Sequence, residues 1–173
     1  MQLGGGFVSA HAVTPYAPVF VGKGREELDA ILSRYPTKMA ALLPALWMVQ
    51  DQHGWVPDAG VEEVAQLLEL TPAYVRGVLS FYTMYHQHPV GQHFVQVCTT
   101  SPCGACGAED VVKAFLEHTG CKDLGLTSPD GKYTVIEVEC LGACGFPTPV
   151  MINEEFLESV TPERVPAILA QHK

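Results

Sequence analysis

Six cysteines lie between residues 98 and 144 and nowhere else in a chain of 173 residues. Four of them form two loop-borne pairs, Cys98-Thr-Thr-Ser-Pro-Cys103 and Cys140-Leu-Gly-Ala-Cys144. The first pair leaves a predicted strand ahead of a helix, and the second leaves another predicted strand into a loop rich in Gly and Pro. Any fold that puts all four thiols to one use must bring two loops, 36 residues apart, to the same place. A secreted disulfide framework is the alternative use of so many cysteines. The chain has 47% hydrophobic residues and long periodic helices, so it can build a core without such staples.

Metal or redox chemistry is therefore the expected use of the thiols. A structural zinc site generally takes two-residue knuckles from both halves, whereas these pairs are spaced by four and three residues. A sulfide-bridged two-iron core needs two thiolates on each iron, and two pairs from two loops supply that number. The spacing predicts Cys98 with Cys103 on one iron and Cys140 with Cys144 on the other. A rival reading comes from Cys103-Gly-Ala-Cys106, a CxxC opening a helix, which would suit a dithiol oxidoreductase. That reading leaves Cys98, Cys140 and Cys144 unused, while the cluster reading leaves only Cys106 and Cys121. Cys121 reads as a small buried hydrophobe, and Cys106 as a thiol able to replace Cys103 or to oxidise. Glycines at 104, 107, 142 and 145 allow backbone N–H groups to approach an anionic centre. Glu109, Asp110, Glu137 and Glu139 would oppose its reduction, so a low potential is expected, with roughly −400 mV as the reference class. No catalytic triad, phosphate-binding glycine fingerprint or HExxH motif accompanies the cysteines.

The rest of the chain supplies a scaffold. Residues 1–24 show no period and read as a flexible N-terminal arm. Helical spacing begins near Arg25 and stops at Tyr35-Pro36. It resumes from Lys38 to Gly54, with Pro44 predicting a kink or a split. Asp58 is expected to cap a third helix, and Thr71-Pro72 a fourth that runs into the aromatic stretch at 81–85. Residues 25–88 are thus expected to form a helical bundle, and His53, His86, His88 and His93 lie close to turns at spacings that match no compact ligand motif. From residue 89 the period changes. Strands are predicted at 92–98, 133–138 and 149–152, with helices at 107–118 and after Thr161-Pro162, giving a β-α-β-β-α order in which helices layer on a sheet.

A formal net charge of −9 with no basic patch argues against nucleic acid. No apolar run is long enough to span a bilayer. The N-terminus lacks the basic and apolar regions of a secretory signal.

The motifs VCTTSPC (97–103), VECLGAC (138–144) and PVMIN (149–153) together resemble the 24-kDa subunit family of respiratory complex I, also called the E-subunit family of NADH-quinone oxidoreductase. Gly77–Tyr85, Pro89-Val-Gly91 and Gly54-Trp-Val56 extend the resemblance to residues 25–171. It implies an α/β chain in which an N-terminal helical bundle precedes a thioredoxin-like [2Fe-2S] domain at 89–173. Cys98, Cys103, Cys140 and Cys144 fall on the family's ligand positions. It further implies a subunit of an NADH dehydrogenase with no complete active site of its own. The expected partners are a larger [4Fe-4S] flavoprotein subunit, which binds FMN and NADH, and other peripheral-arm subunits. The expected location is cytoplasmic and peripheral to the membrane. Related subunits serve NAD-dependent formate dehydrogenases and hydrogenases. The sequence departs from the family pattern at Gly104-Ala-Cys106 and Gly145-Phe-Pro-Thr148.

Overall fold

The computed structural model describes residues 15–172, and these divide into two compact units after Pro89. The first unit is helical: α1 (Lys23–Leu32), α2 (Leu42–His53), α3 (Asp58–Leu68) and α4 (Pro72–Phe81). Packing runs in sequence, α1 on α2, α2 on α3 and α3 on α4. The apolar spacing explains the arrangement, since Leu42, Ala45, Leu46 and Val49 of α2 meet Val61, Val64, Ala65 and Leu68 of α3 and Val75 and Leu79 of α4 in one core.

The expected split at Pro44 occurs just upstream of it. A 3-10 turn, Lys38–Ala41, precedes α2, so the proline falls in a first turn, where no N–H is missed. Asp58 does not cap α3. Pro57 holds the cap position in extended backbone, and Asp58, now the first helical residue, turns its carboxylate to Arg76 at 2.7 Å. Thr71 does cap α4, accepting the Tyr74 N–H, with Pro72 at the first helical position.

Residues 1–14 of the expected arm lie outside the described residues, whereas residues 15–22 are packed on the helices. Val19 and Phe20 are buried, and their N–H groups both donate to the Glu63 carboxylate, which also accepts the Tyr16 hydroxyl. Tyr16 stacks on His53 with ring centroids 4.7 Å apart. Gly22, at φ 51°, then turns the chain into α1.

The second unit is a four-stranded sheet with helices. Its elements are β1 (His93–Cys98), α5 (Ser101–Ala105), α6 (Ala108–Thr119), β2 (Tyr133–Val138), β3 (Val150–Ile152), β4 (Glu155–Leu157) and α7 (Val165–Gln171). The spatial order is β2-β1-β3-β4, with β1 parallel to β2 and antiparallel to β3. A parallel pair needs a crossover, here supplied by α5 and α6. Helix α6 lays Val111, Val112 and Phe115 over Val95, Val97 and Val135, and α7 packs beside it. Both α5 and β4 exceed the predicted set, and a 3-10 turn, Pro162–Arg164, precedes α7. Asn153, at φ 52°, turns β3 back into β4.

Candidate metal centre

The parallel register builds the site. His93 pairs with Tyr133 and, five residues on, Cys98 pairs with Val138, so both strands end level at the same edge. The chain leaves β1 into Cys98–Cys103 and leaves β2 into Cys140–Cys144 from that common end. The Cys98 Sγ lies 3.7 Å from the Glu139 carbonyl across the gap, and the Thr99 N–H donates to the Val138 carbonyl at 3.1 Å. Loops remote in sequence are thereby stitched together at their roots.

The four expected ligands divide by burial. Cys98 and Cys103 are each 2% exposed and pack with Ala108 and Leu141, whereas Cys140 and Cys144 are exposed. Burial alone would push the Cys98 thiol up. Hydrogen bonds from the Thr100 and Leu141 backbone and from the Cys103 thiol outweigh it and hold Cys98 below the ordinary thiol range. Cys103 is pushed up to about 11, first by burial, then by donating to Cys98 and by the negative charge of Cys98, Cys144 and Cys106. Cys144 and Cys106 are thus close enough for their charge to act on Cys103. The Cys140 sulfur instead accepts the Gly142 N–H of its own loop at 3.3 Å. That contact needs the left-handed backbone of Gly142, at φ 79°. Of the other glycines expected near the centre, Gly104 and Gly107 direct their N–H groups to the Thr100 and Gly104 carbonyls.

Among the described residues, no three Cys, His, Asp or Glu side chains converge as one metal ion requires. A zinc ion asks four thiolates to meet at a point, whereas a two-iron, two-sulfide core asks for two pairs set apart by its own width. Two thiols on each of two adjoining loops supply donors of that type and number. Thr100 adds to the fit, because its hydroxyl lies beside the Cys98 thiol and is otherwise a buried oxygen without a hydrogen-bond partner. Sequence reasoning overlooked Thr100 and Leu141. The first was read only as spacer between ligands, although a threonine two residues after a strand-end cysteine was the available signal.

Cys106 ends α5, exposed, with its N–H on the Cys103 carbonyl. The CxxC therefore closes a short helix rather than opening one, and Cys103 is a buried thiol of raised pKa, not an exposed thiolate. Cys121 is buried with its thiol 3.4 Å from the Tyr133 carbonyl, as expected of a small core residue.

The chain matches the family model of the thioredoxin-like [2Fe-2S] ferredoxin over residues 28–173. The E subunit of NADH-quinone oxidoreductase from Rickettsia bellii is 42% identical over 144 residues, covering 82% of this chain and 86% of that protein. The E 2 subunit of the same oxidoreductase from Rhizobium meliloti is 37% identical over 145 residues, covering 84% and 86% respectively. An NAD+-reducing [NiFe]-hydrogenase structure shares the fold at a TM-score of 0.66 and 17% identity, matching 76% of this chain and 22% of that one. The strand register, the paired cysteine loops and these matches together place the chain in the thioredoxin-like [2Fe-2S] ferredoxin family.

Proposed function

We propose that this chain is the [2Fe-2S] electron-transfer subunit of an NADH-quinone oxidoreductase, with Cys98 and Cys103 on one iron and Cys140 and Cys144 on the other. The observation that carries the proposal is the level ending of β1 and β2, with Cys98 Sγ against the Glu139 carbonyl. When bound, such a cluster stores and releases one electron at a time. The protein's own contribution is electrostatic. Burial keeps water from the Cys98 and Cys103 sulfurs, while the Gly142 and Leu141 N–H groups direct positive dipole ends at thiolate sulfur. Exposed Glu109, Asp110, Glu137 and Glu139 disfavour added negative charge and keep the potential low.

FMN and NADH belong on a larger flavoprotein partner, from whose flavin this chain accepts single electrons. Relatives at 37–42% identity that are named as E subunits of NADH-quinone oxidoreductase favour this assembly over a formate dehydrogenase or a hydrogenase. Among the described residues no helix is long and apolar enough to cross a membrane, and we place the chain in the peripheral arm on the strength of its E-subunit relatives. The dithiol reading draws no support from a Cys103 buried inside a short helix that Cys106 closes.

Protein purified without oxygen is expected to contain about two irons and two acid-labile sulfides per chain. Cys140→Ser is expected to lose most of the native absorption and the low-temperature electron paramagnetic resonance signal of the reduced protein. An unchanged spectrum in that variant would overturn the ligand assignment, and a folded wild-type chain without iron or sulfide would overturn the function.

A further inference from the structure

We propose that the cysteine end of the second unit is a docking face for a redox protein that presents an apolar depression rimmed by lysine and arginine, with Phe146 as the anchor. The proposal rests on the electron-transfer reading above and specifies the chemistry of the partner. Phe146 lies two residues beyond Cys144 and is 57% exposed, the most exposed large apolar side chain among the described residues of this unit. Its backbone is pinned on both sides, the N–H donating to the Ala143 carbonyl at 2.9 Å and the carbonyl accepting the Ser159 N–H at 3.0 Å. A ring displayed from a fixed turn loses little freedom when a partner covers it, which is what an interface anchor needs.

The charge of the segments that carry the cysteines selects the partner. Segments 98–112 and 136–149, which carry all four expected ligands, contain Glu109, Asp110, Glu137 and Glu139 and no Lys, Arg or His. All four carboxylates are exposed. Lys113 pairs with Asp110 at 3.3 Å and offsets that carboxylate, so Glu109, Glu137 and Glu139 set the charge, while Arg164 is held to the Glu158 and Ser159 carbonyls at 2.9 and 2.6 Å. A second copy of a chain with net charge −9 would bring the same carboxylates together, and an anionic lipid surface would be repelled in the same way. A basic protein is drawn in, and its cations offset the negative charge that an electron adds to this end.

The test uses the full-length holoprotein, reduced with dithionite and freed of excess, and ferricytochrome c as a small basic probe whose haem edge lies among lysines. One electron leaves the reduced centre and converts ferric haem to ferrous, followed by absorbance. The second-order rate is expected to fall about tenfold as ionic strength rises from about 20 to about 300 mM. In Glu109→Gln/Glu137→Gln the low-salt rate is expected to fall several-fold and its salt dependence to flatten. Phe146→Ser is expected to slow the reaction at every salt concentration, and Phe146→Leu to restore it. A salt-independent wild-type rate, or variants indistinguishable from wild type, would overturn the proposal. So would a concentration-dependent dimer lost in Phe146→Ser, or binding to phosphatidylserine vesicles through this face. Iron and sulfide are measured on the same samples. Full content with a salt-independent rate overturns the docking face alone, whereas absent content overturns the electron-transfer reading and the docking face with it.

Discussion

Glu63 shows how one side chain can decide the behaviour of a segment far from it in sequence. Its carboxylate takes the Tyr16 hydroxyl and the Val19 and Phe20 N–H groups, so Glu63→Ala leaves three donors without an acceptor. The cost is expected to be about 1–3 kcal/mol, seen as a lower urea midpoint for the helical unit. Residue-scale chemistry also predicts a pH dependence. Burial, then the neighbouring Tyr82, pushes the Tyr85 phenol up from 10.0 to about 12, and burial and Glu63 push Tyr16 in the same direction. For such a group the unfolded chain loses its proton first. The stabilisation is therefore whole below pH 10 and drains away between pH 10 and 12. Urea midpoints at pH 8, 10 and 11.5 should be level and then fall, with a smaller fall in Tyr85→Phe; a flat profile to pH 12 would contradict the assignment. None of this could be read from sequence, because Glu63 looks like any exposed glutamate on a helix and its partners lie more than 40 residues away.

Among the elements, those with a repeating signal were legible and those without one were not. The alternation in His93–Cys98 and Tyr133–Val138 announced β1 and β2, and Thr71-Pro72 announced α4, because each carries its cause locally. Helix α5 is five residues with a proline and a glycine, and β4 is three residues on a sheet edge. Both owe their conformation to neighbours rather than to propensity. Asp58 was misassigned as a cap for the same reason, its carboxylate being claimed by Arg76 from another helix. The register of β1 on β2, on which the candidate centre depends, was likewise invisible, though a local constraint guards it. A Cβ on Gly91 would sit 2.6 Å from the Tyr133 carbonyl carbon and 2.7 Å from its nitrogen. Gly91→Ala is therefore expected to push β1 away from β2 and to cost about 1–3 kcal/mol. Reduced iron retention should accompany the loss, and full retention at wild-type stability would show that the register tolerates the shift.

At the scale of the molecule, the described residues form two large cores and one small cluster, and that cluster, Cys98, Cys103 and Ala108, belongs to the sheet unit. The helical core is built from residues 19–85, the sheet core from residues 95–169. Ligand thiolates converge only in the folded state, so a bound cluster stabilises the sheet unit by linkage and leaves the helical core unaffected. Removal of iron by an anaerobic chelator is expected to lower the thermal midpoint of the sheet unit by several degrees. Hydrogen exchange resolved by peptide is the measurement to use, with faster exchange expected in residues 93–98 and 133–138 and no change in residues 58–81. Equal protection of the sheet peptides with and without iron would contradict it. In the sequence, helical period gives way to strand alternation near residue 90, and the compact units divide after Pro89. How the four thiols are shared between buried and open positions was not readable there, because it depends on which side of the sheet edge each loop folds over.

The parallel pairing of β1 with β2 also governs time. Neighbouring helices can meet soon after they form, but Cys98 and Val138 touch only after a 40-residue crossover has closed, and contacts of that range form late. Both tryptophans, Trp47 and Trp55, lie in the helical unit. Indole fluorescence during refolding thus watches the early half of the process and is blind to the step that brings the thiols to one edge. During that interval Cys98 and Cys103 already exist on the chain without the partners that later enclose them, so the oxidation state of the surroundings matters most before the sheet is complete.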